Sequence, residues 1–181
     1  MPSACPYGMR GRKYIRLRDF DYSSANAYFI TICTKNFYCY FGEIRNGIMG
    51  YSEIGNVAYC YLEAIPPIRS NVVLDEFIVM PDHVHCIIEI KGESFSLENR
   101  NRYSKPVSGS VSVIINQYKG SVKKWCNENG FTDFEWQGRF YDHVIRDNEE
   151  YWAIKNYIIS NPSNWSKDHL RRDLPLANPN K

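Results

Sequence analysis

Val72-Val73-Leu74-Asp75-Glu76-Phe77-Ile78-Val79-Met80-Pro81-Asp82-His83-Val84-His85-Cys86-Ile87-Ile88-Glu89-Ile90 is the stretch whose reading decides the fold. Apolar and β-branched residues crowd both sides of Pro81-Asp82, so 72–80 and 83–90 read as two strands broken at the proline. Residues two apart on a strand face the same way. Val84, Cys86, Ile88 and Ile90 make a wholly apolar face, while His83, His85, Ile87 and Glu89 share the other. The core is therefore expected on the Val84 side. The two imidazoles look into a cleft or across to another element.

Working outward, Tyr28 to Thr34 has the β-branched and aromatic composition of a strand. Asn46-Gly47 predicts a tight turn joining 40–45 to 48–51. From Ser52, apolar residues recur at helical spacing (Ile54, Val57, Ala58, Tyr61, Leu62, Ile65), and Pro66-Pro67 is expected to stop that helix. Residues 92–108 are polar and read as a surface loop. Val111 to Asn129 carries a second apolar stripe, with Gly130 as its cap. Phe140 to Arg146 is a fourth main strand. Asp147 and Glu150 form a capping-box pattern ahead of a last helix, expected to end near Asn161 at Pro162.

The order is β-α-β-β-α-β and then a helix. That is an α+β chain of ferredoxin-like, split β-α-β type: an antiparallel sheet of four main strands with an added C-terminal, tyrosine-bearing helix. The expected organisation is a basic N-terminal arm over 1–20, one catalytic domain over 21–165 and an irregular tail over 166–181.

Composition bounds the reading. The chain has 181 residues, 44% of them hydrophobic, enough for a core and too many for general disorder. No run approaches the ~18 apolar residues of a membrane span, and residues 1–18 do not have the pattern of a secretory signal. An intracellular protein is the expectation. The six cysteines include no C-x-x-C pair, and Cys33 and Cys86 sit in apolar strand runs, so they read as buried thiols. Net charge is only +2, but residues 1–18 carry Arg10, Arg12, Lys13, Arg16 and Arg18 without an acid. Such an arm touches phosphates in some proteins and is a solvated tail in others.

Two constellations carry chemistry. His83 and His85, half of the four histidines, stand side by side on one strand face as half of a metal site. An H-x-H triplet taken alone reads as readily as two half-exposed histidines with no task. On the last helix Tyr157 and Asn161 are four residues apart and share a face. A phenol oxygen can attack phosphorus and form a covalent ester, and an amide carbonyl suits a hard cation. Among 14 tyrosines, Tyr118, Tyr141 and Tyr151 are rivals for the nucleophile. Lys119 and Lys123 lie one turn apart and could line a phosphate track. Asp142-His143 reads as structural support.

These residues match a family pattern. Met80-Pro81-Asp82-His83-Val84-His85 resembles the histidine–hydrophobe–histidine (HUH) strand of the single-tyrosine transposases of bacterial insertion sequences, most closely their REP-associated branch. Four further segments agree in order: Tyr28 to Lys35 with Phe41-Gly42-Glu43; Leu74-Asp75-Glu76-Phe77; Trp136-Gln137-Gly138-Arg139-Phe140-Tyr141-Asp142-His143; and Tyr157-Ile158-Ile159-Ser160-Asn161-Pro162.

The resemblance implies that His83 and His85 bind the metal, that Tyr157 is the nucleophile, and that Asn161 is the third ligand. That ligand is glutamine in the insertion-sequence branch and commonly asparagine in the REP-associated one. It implies Mg2+ or Mn2+ as cofactor, single-stranded DNA with a foldback hairpin as partner, and cleavage and rejoining through a 5′-phosphotyrosine. Arg12, Lys13, Arg16, Lys119 and Lys123 are the candidate DNA contacts. A cytoplasmic bacterial protein, at the nucleoid when bound to DNA, follows, with monomer and homodimer both open. The competing readings are a retired transposase that only binds hairpins, against which the complete residue set argues, and an RNA-binding module, which would want exposed aromatics where His83 and His85 stand.

Overall fold

The structure is a computed structural model and describes residues 25–91 and 109–165. The basic arm, the 92–108 loop and the 166–181 tail, with Arg12, Lys13 and Arg16, lie outside the described residues. Strands β1 (Ala27–Cys33), β2 (Gly42–Arg45), β3 (Ile48–Tyr51), β4 (Val72–Val79), β5 (His83–Ile90) and β6 (Tyr141–Ile145) alternate with helices α1 (Glu53–Glu63), α2 (Ile65–Ile68), α3 (Val111–Glu128) and α4 (Asn148–Asn164). The four long strands form one antiparallel sheet in the order β4-β5-β1-β6. Two consecutive main strands, β1 and β4, are thus separated by β5, as the split β-α-β topology requires. Among the described residues no helix is long and apolar enough to cross a membrane.

The local chemistry explains most of these elements. Asn46 and Gly47 both hold positive φ (52° and 75°), the pairing that lets a two-residue turn follow the strand twist of the β2–β3 hairpin. Ser52 caps α1 by accepting from the Gly55 N–H at 3.0 Å. Gly55 is required there, because a Cβ would lie 2.0 Å from the Phe41 carbonyl oxygen. Gly130, at φ 87°, follows α3, and Phe131 N–H donates to the Cys126 carbonyl at 2.8 Å, closing the helix.

One of the two proline-marked helix ends differs from the sequence expectation. α1 ends at Glu63, just ahead of Pro66-Pro67 as expected, and the two prolines then stand in the first turn of the short α2, where a missing N–H has no helical partner to lose. Pro162 lies inside α4, which runs on to Asn164. Its ring denies the helix one hydrogen bond close to the end, and the proline φ is itself helical.

Strand alternation splits the hydrophobic interior into two layers. Tyr28, Ile30, Ile32, Val84, Cys86 and Ile88 face α1 and α3 in the larger core. Phe29, Ile87 and Ile145 face the other way and are covered by Ile154 and Ile158 of α4. The histidine face of β5 is therefore buried under α4 rather than bordering solvent.

Candidate active site

α4 crosses the sheet on the side where β5 presents His83 and His85. Both histidines are buried, at 6% and 5% exposure, so the reading of two half-exposed side chains does not describe them. Their rings are 4.5 Å apart between centroids, at 66°. The Tyr157 hydroxyl reaches within 3.4 Å of His85 Nε2, with the rings 5.3 Å apart. Phe29 stacks on His85 from below at 5.3 Å and meets the Tyr157 ring edge-on at 6.1 Å. Further along α4, Trp165 packs 6.0 Å from His83. Tyr157, Asn161 and Trp165 are spaced four residues apart and share a helix face. Asn161, buried at 7% exposure, thus stands between a residue on His85 and a residue on His83.

Each imidazole is fixed through its other nitrogen. The Asp82 carboxylate lies 2.6 Å from His83 Nδ1, and the Thr31 hydroxyl lies 2.8 Å from His85 Nδ1. His85 Nε2 is left toward Tyr157 of α4, and His83 Nε2 is buried without a hydrogen-bond partner. Burial, with His83 alongside, holds His85 well below the ordinary imidazole range, so its ring is neutral at neutral pH. A buried imidazole nitrogen without a partner, as at His83, is a position a ligand can fill. A carboxylate behind a histidine is the usual support of a metal-binding ring.

Among the described residues no three His, Cys, Asp or Glu side chains cluster as a metal cage. A cation here would take its two nitrogens from His83 and His85, and further oxygens from Asn161 and from what it binds. The donor set fits a divalent cation that keeps open positions.

The rival tyrosines have other tasks. The Tyr118 hydroxyl donates to the Ala58 carbonyl at 3.0 Å inside the large core. The Tyr151 hydroxyl lies 2.6 Å from Asp75 and 2.9 Å from Glu89, and burial together with those carboxylates pushes it above the usual phenol range. Tyr141 is opposite Thr31 on β6, so β1 separates it from His85. His143 contacts Glu150 at 2.7 Å, and Glu150 also accepts from the Arg146 N–H at 2.9 Å, which ties β6 to the start of α4. Asp147 caps the helix through the Glu150 N–H at 2.8 Å.

Lys119 and Lys123 are not on this face. The Lys119 ammonium donates to the Gln137 carbonyl at 2.7 Å. Lys123 donates to the carbonyls of Thr132 and Phe134 at 3.1 and 2.6 Å. A phosphate contact by either would draw on the ammonium N–H donors that remain. Asp82 and Thr31, which orient the histidines, were not singled out from the sequence. Asp82 read as part of a strand break, and its place directly before the H-x-H triplet was the one available signal.

Comparison with known proteins agrees with this geometry. No family model matches the chain. It is 38% identical over 173 residues to an uncharacterized protein of Haemophilus influenzae, covering 92% of this chain and 96% of that protein. A second Haemophilus influenzae protein, named provisionally as a REP-associated tyrosine transposase, is 26% identical over 105 residues, 55% of this chain and 54% of the relative. Among solved structures, a REP-associated tyrosine transposase bound to a REP hairpin superposes with a TM-score of 0.51 at 17% identity, covering 91% of this chain and 86% of that one. The chain thus shares the fold of a REP-associated tyrosine transposase. At 17% identity that likeness bears on the fold alone. The chemistry of the site rests on the residues of this chain.

Proposed function

We propose that the protein is a DNA transposase that cleaves and rejoins single-stranded DNA beside hairpins through a covalent 5′-phosphotyrosine at Tyr157. The observation that carries this reading is the Tyr157 hydroxyl 3.4 Å from His85 Nε2, next to the unpartnered Nε2 of His83. The packing of α4 on Phe29 and Ile87 holds this phenol beside the two imidazoles, one turn from the buried amide of Asn161.

In this reading His83, His85 and Asn161 hold Mg2+ or Mn2+. The bound cation supplies Lewis-acid polarisation and orientation of the scissile phosphodiester. Asp82 and Thr31 keep the two rings aimed. The Tyr157 oxygen attacks phosphorus: a P–O bond to the phenol forms as the bond to the 3′ oxygen breaks, the phenol loses its proton, and the departing oxygen gains one. The covalent ester keeps the energy of the broken linkage, so a second 3′-hydroxyl can attack it, displace Tyr157 and reseal the strand without ATP. The buried layer of Phe29, Ile154 and Ile158 keeps α4 seated, which confines the nucleophile to attack distance, about 3–3.5 Å between reacting atoms.

The test is a denaturation-resistant adduct between the protein and end-labelled single-stranded hairpin DNA in Mn2+. The expected result is an adduct on the fragment 3′ of the cut, held through its new 5′ phosphate, that is absent in Tyr157→Phe. An adduct that survives Tyr157→Phe overturns the nucleophile assignment. Hairpin binding without any adduct would identify a protein that binds and no longer cuts.

A further inference from the structure

Beyond the end of β1 the chain turns sharply, and that turn forms one wall of a depression of about 680 Å³. Lys35, Asn36 and Phe37 line one side; Glu135, Trp136 and Gln137 line the other. Asn36 and Phe37 hold consecutive left-handed conformations, φ 55° and 57°, which a bulky L residue rarely adopts. The two walls are stitched together: Lys35 N–H donates to the Glu135 carbonyl at 2.8 Å, Thr34 bridges to Trp136, and the Lys35 and Glu135 side chains pair across the rim. The Trp136 indole is turned inward, donating to the Lys119 carbonyl at 3.1 Å and packing on Phe41 and Phe134.

What this leaves toward the depression is distinctive. Phe37 is partly exposed and has no ring partner among the described residues. The backbone of Gln137 is committed on both sides, its N–H to the Cys33 carbonyl at 2.9 Å and its carbonyl to Lys119. Its side-chain amide, like that of Asn36, has no hydrogen-bond partner among the described residues. A free aromatic face with two primary amides matches a nucleobase, which offers a π-face for stacking and paired donors and acceptors along its edge. The depression is also close to the histidines. Cys33 stands opposite His83 in the ladder, and Thr34 N–H donates to the Asp82 carbonyl at 2.9 Å. One cross-strand step and two residues span roughly 12 Å, or about three nucleotides at the stacked rise.

We infer that this depression holds one unstacked base of the bound single strand, stacked on Phe37 and read by the amides of Asn36 and Gln137. The inference deepens the proposed function and rests on it for the class of ligand. It makes the pocket a determinant of which sequence is cut, separate from the histidines and tyrosine that cut it.

The test uses the full-length protein without divalent cation, so that binding is read apart from cleavage. Short single-stranded DNA of random sequence is titrated while the side-chain amide and backbone NMR signals are followed. Saturable shifts of the Asn36 and Gln137 amide groups are expected, with binding about 5- to 100-fold weaker in Phe37→Ala. In selection from the random pool, Gln137→Ala should lose base preference at one position and keep it elsewhere; this second variant guards against a folding defect in the first. Shifts at Tyr157 and His85 with still signals at Asn36 and Gln137 would overturn the pocket and leave the nucleic-acid reading standing. No shift anywhere would overturn both.

Discussion

Removing the Asp82 carboxylate should damage the site through His83 without touching the nucleophile. Asp82 Oδ1 lies 2.6 Å from His83 Nδ1, and both side chains are almost fully buried, at 4% and 8% exposure. In a neutral His83 ring, a carboxylate at Nδ1 favours the tautomer with its proton on Nδ1 and its lone pair on Nε2. In Asp82→Ala a buried N–H is stranded, at a cost of about 1–3 kcal/mol. His83 can escape that cost by moving its proton to Nε2, which removes the lone pair a cation would use. Supporting partners of this kind are worth about 10- to 100-fold in metal affinity, or ~1.4–2.7 kcal/mol. Calorimetric titration with Mn2+ should therefore show weakening of that size in Asp82→Ala and a smaller loss in Asp82→Asn, which keeps an oxygen acceptor. Imidazole 15N shifts of the metal-free protein should report the change of tautomer. Unchanged Mn2+ affinity together with an unchanged His83 tautomer would refute the reasoning.

Gly55→Ala should destabilise the protein by about 3 kcal/mol, at the upper end for overpacking, because its Cβ would stand 2.0 Å from backbone oxygen that α1 and the Phe41 turn cannot both yield; urea denaturation would measure it, and a loss below ~0.5 kcal/mol would contradict the close approach. Burial alone would raise the Asp75 carboxyl, but hydrogen bonds from Tyr151 and Lys155 outweigh it and hold the group below its ordinary 3.8. A depressed carboxyl adds stability above its unfolded-state value that disappears as pH falls through the folded-state one. Asp75→Asn should thus narrow its stability gap to the parent as pH drops below ~4, and a gap that stays constant from pH 7 to 3 would argue against the Asp75–Lys155–Tyr151 contact.

Much of the fold could be read from period and punctuation. The alternation in 83–90, the Asn46-Gly47 turn, the Asp147 cap and Gly130 are local signals, and each acts over a few residues. The prolines at 66–67 and at 162 follow one rule. A proline signals a missing N–H, but whether that omission matters depends on whether a partner was available. At α2 it sits in the first turn, and at Pro162 only the final residues of α4 follow it.

The sequence by itself determined that His83 and His85 share a face, that Tyr157 and Asn161 share another, and that β5 presents an unbroken apolar surface opposite its histidines. Those are consequences of the 2.0 and 3.6 residue periods, which depend on nothing distant. Only the tertiary structure decided that the histidine face is a second buried layer, that α4 is what covers it, and that Tyr157 rather than Tyr151, six residues earlier, meets His85. It likewise decided that Asp82 and Thr31 aim the rings. A period says which side chains point together, but not what lies opposite. That depends on how two surfaces from distant parts of the chain bury apolar area against each other, here Phe29 and Ile87 against Ile154 and Ile158.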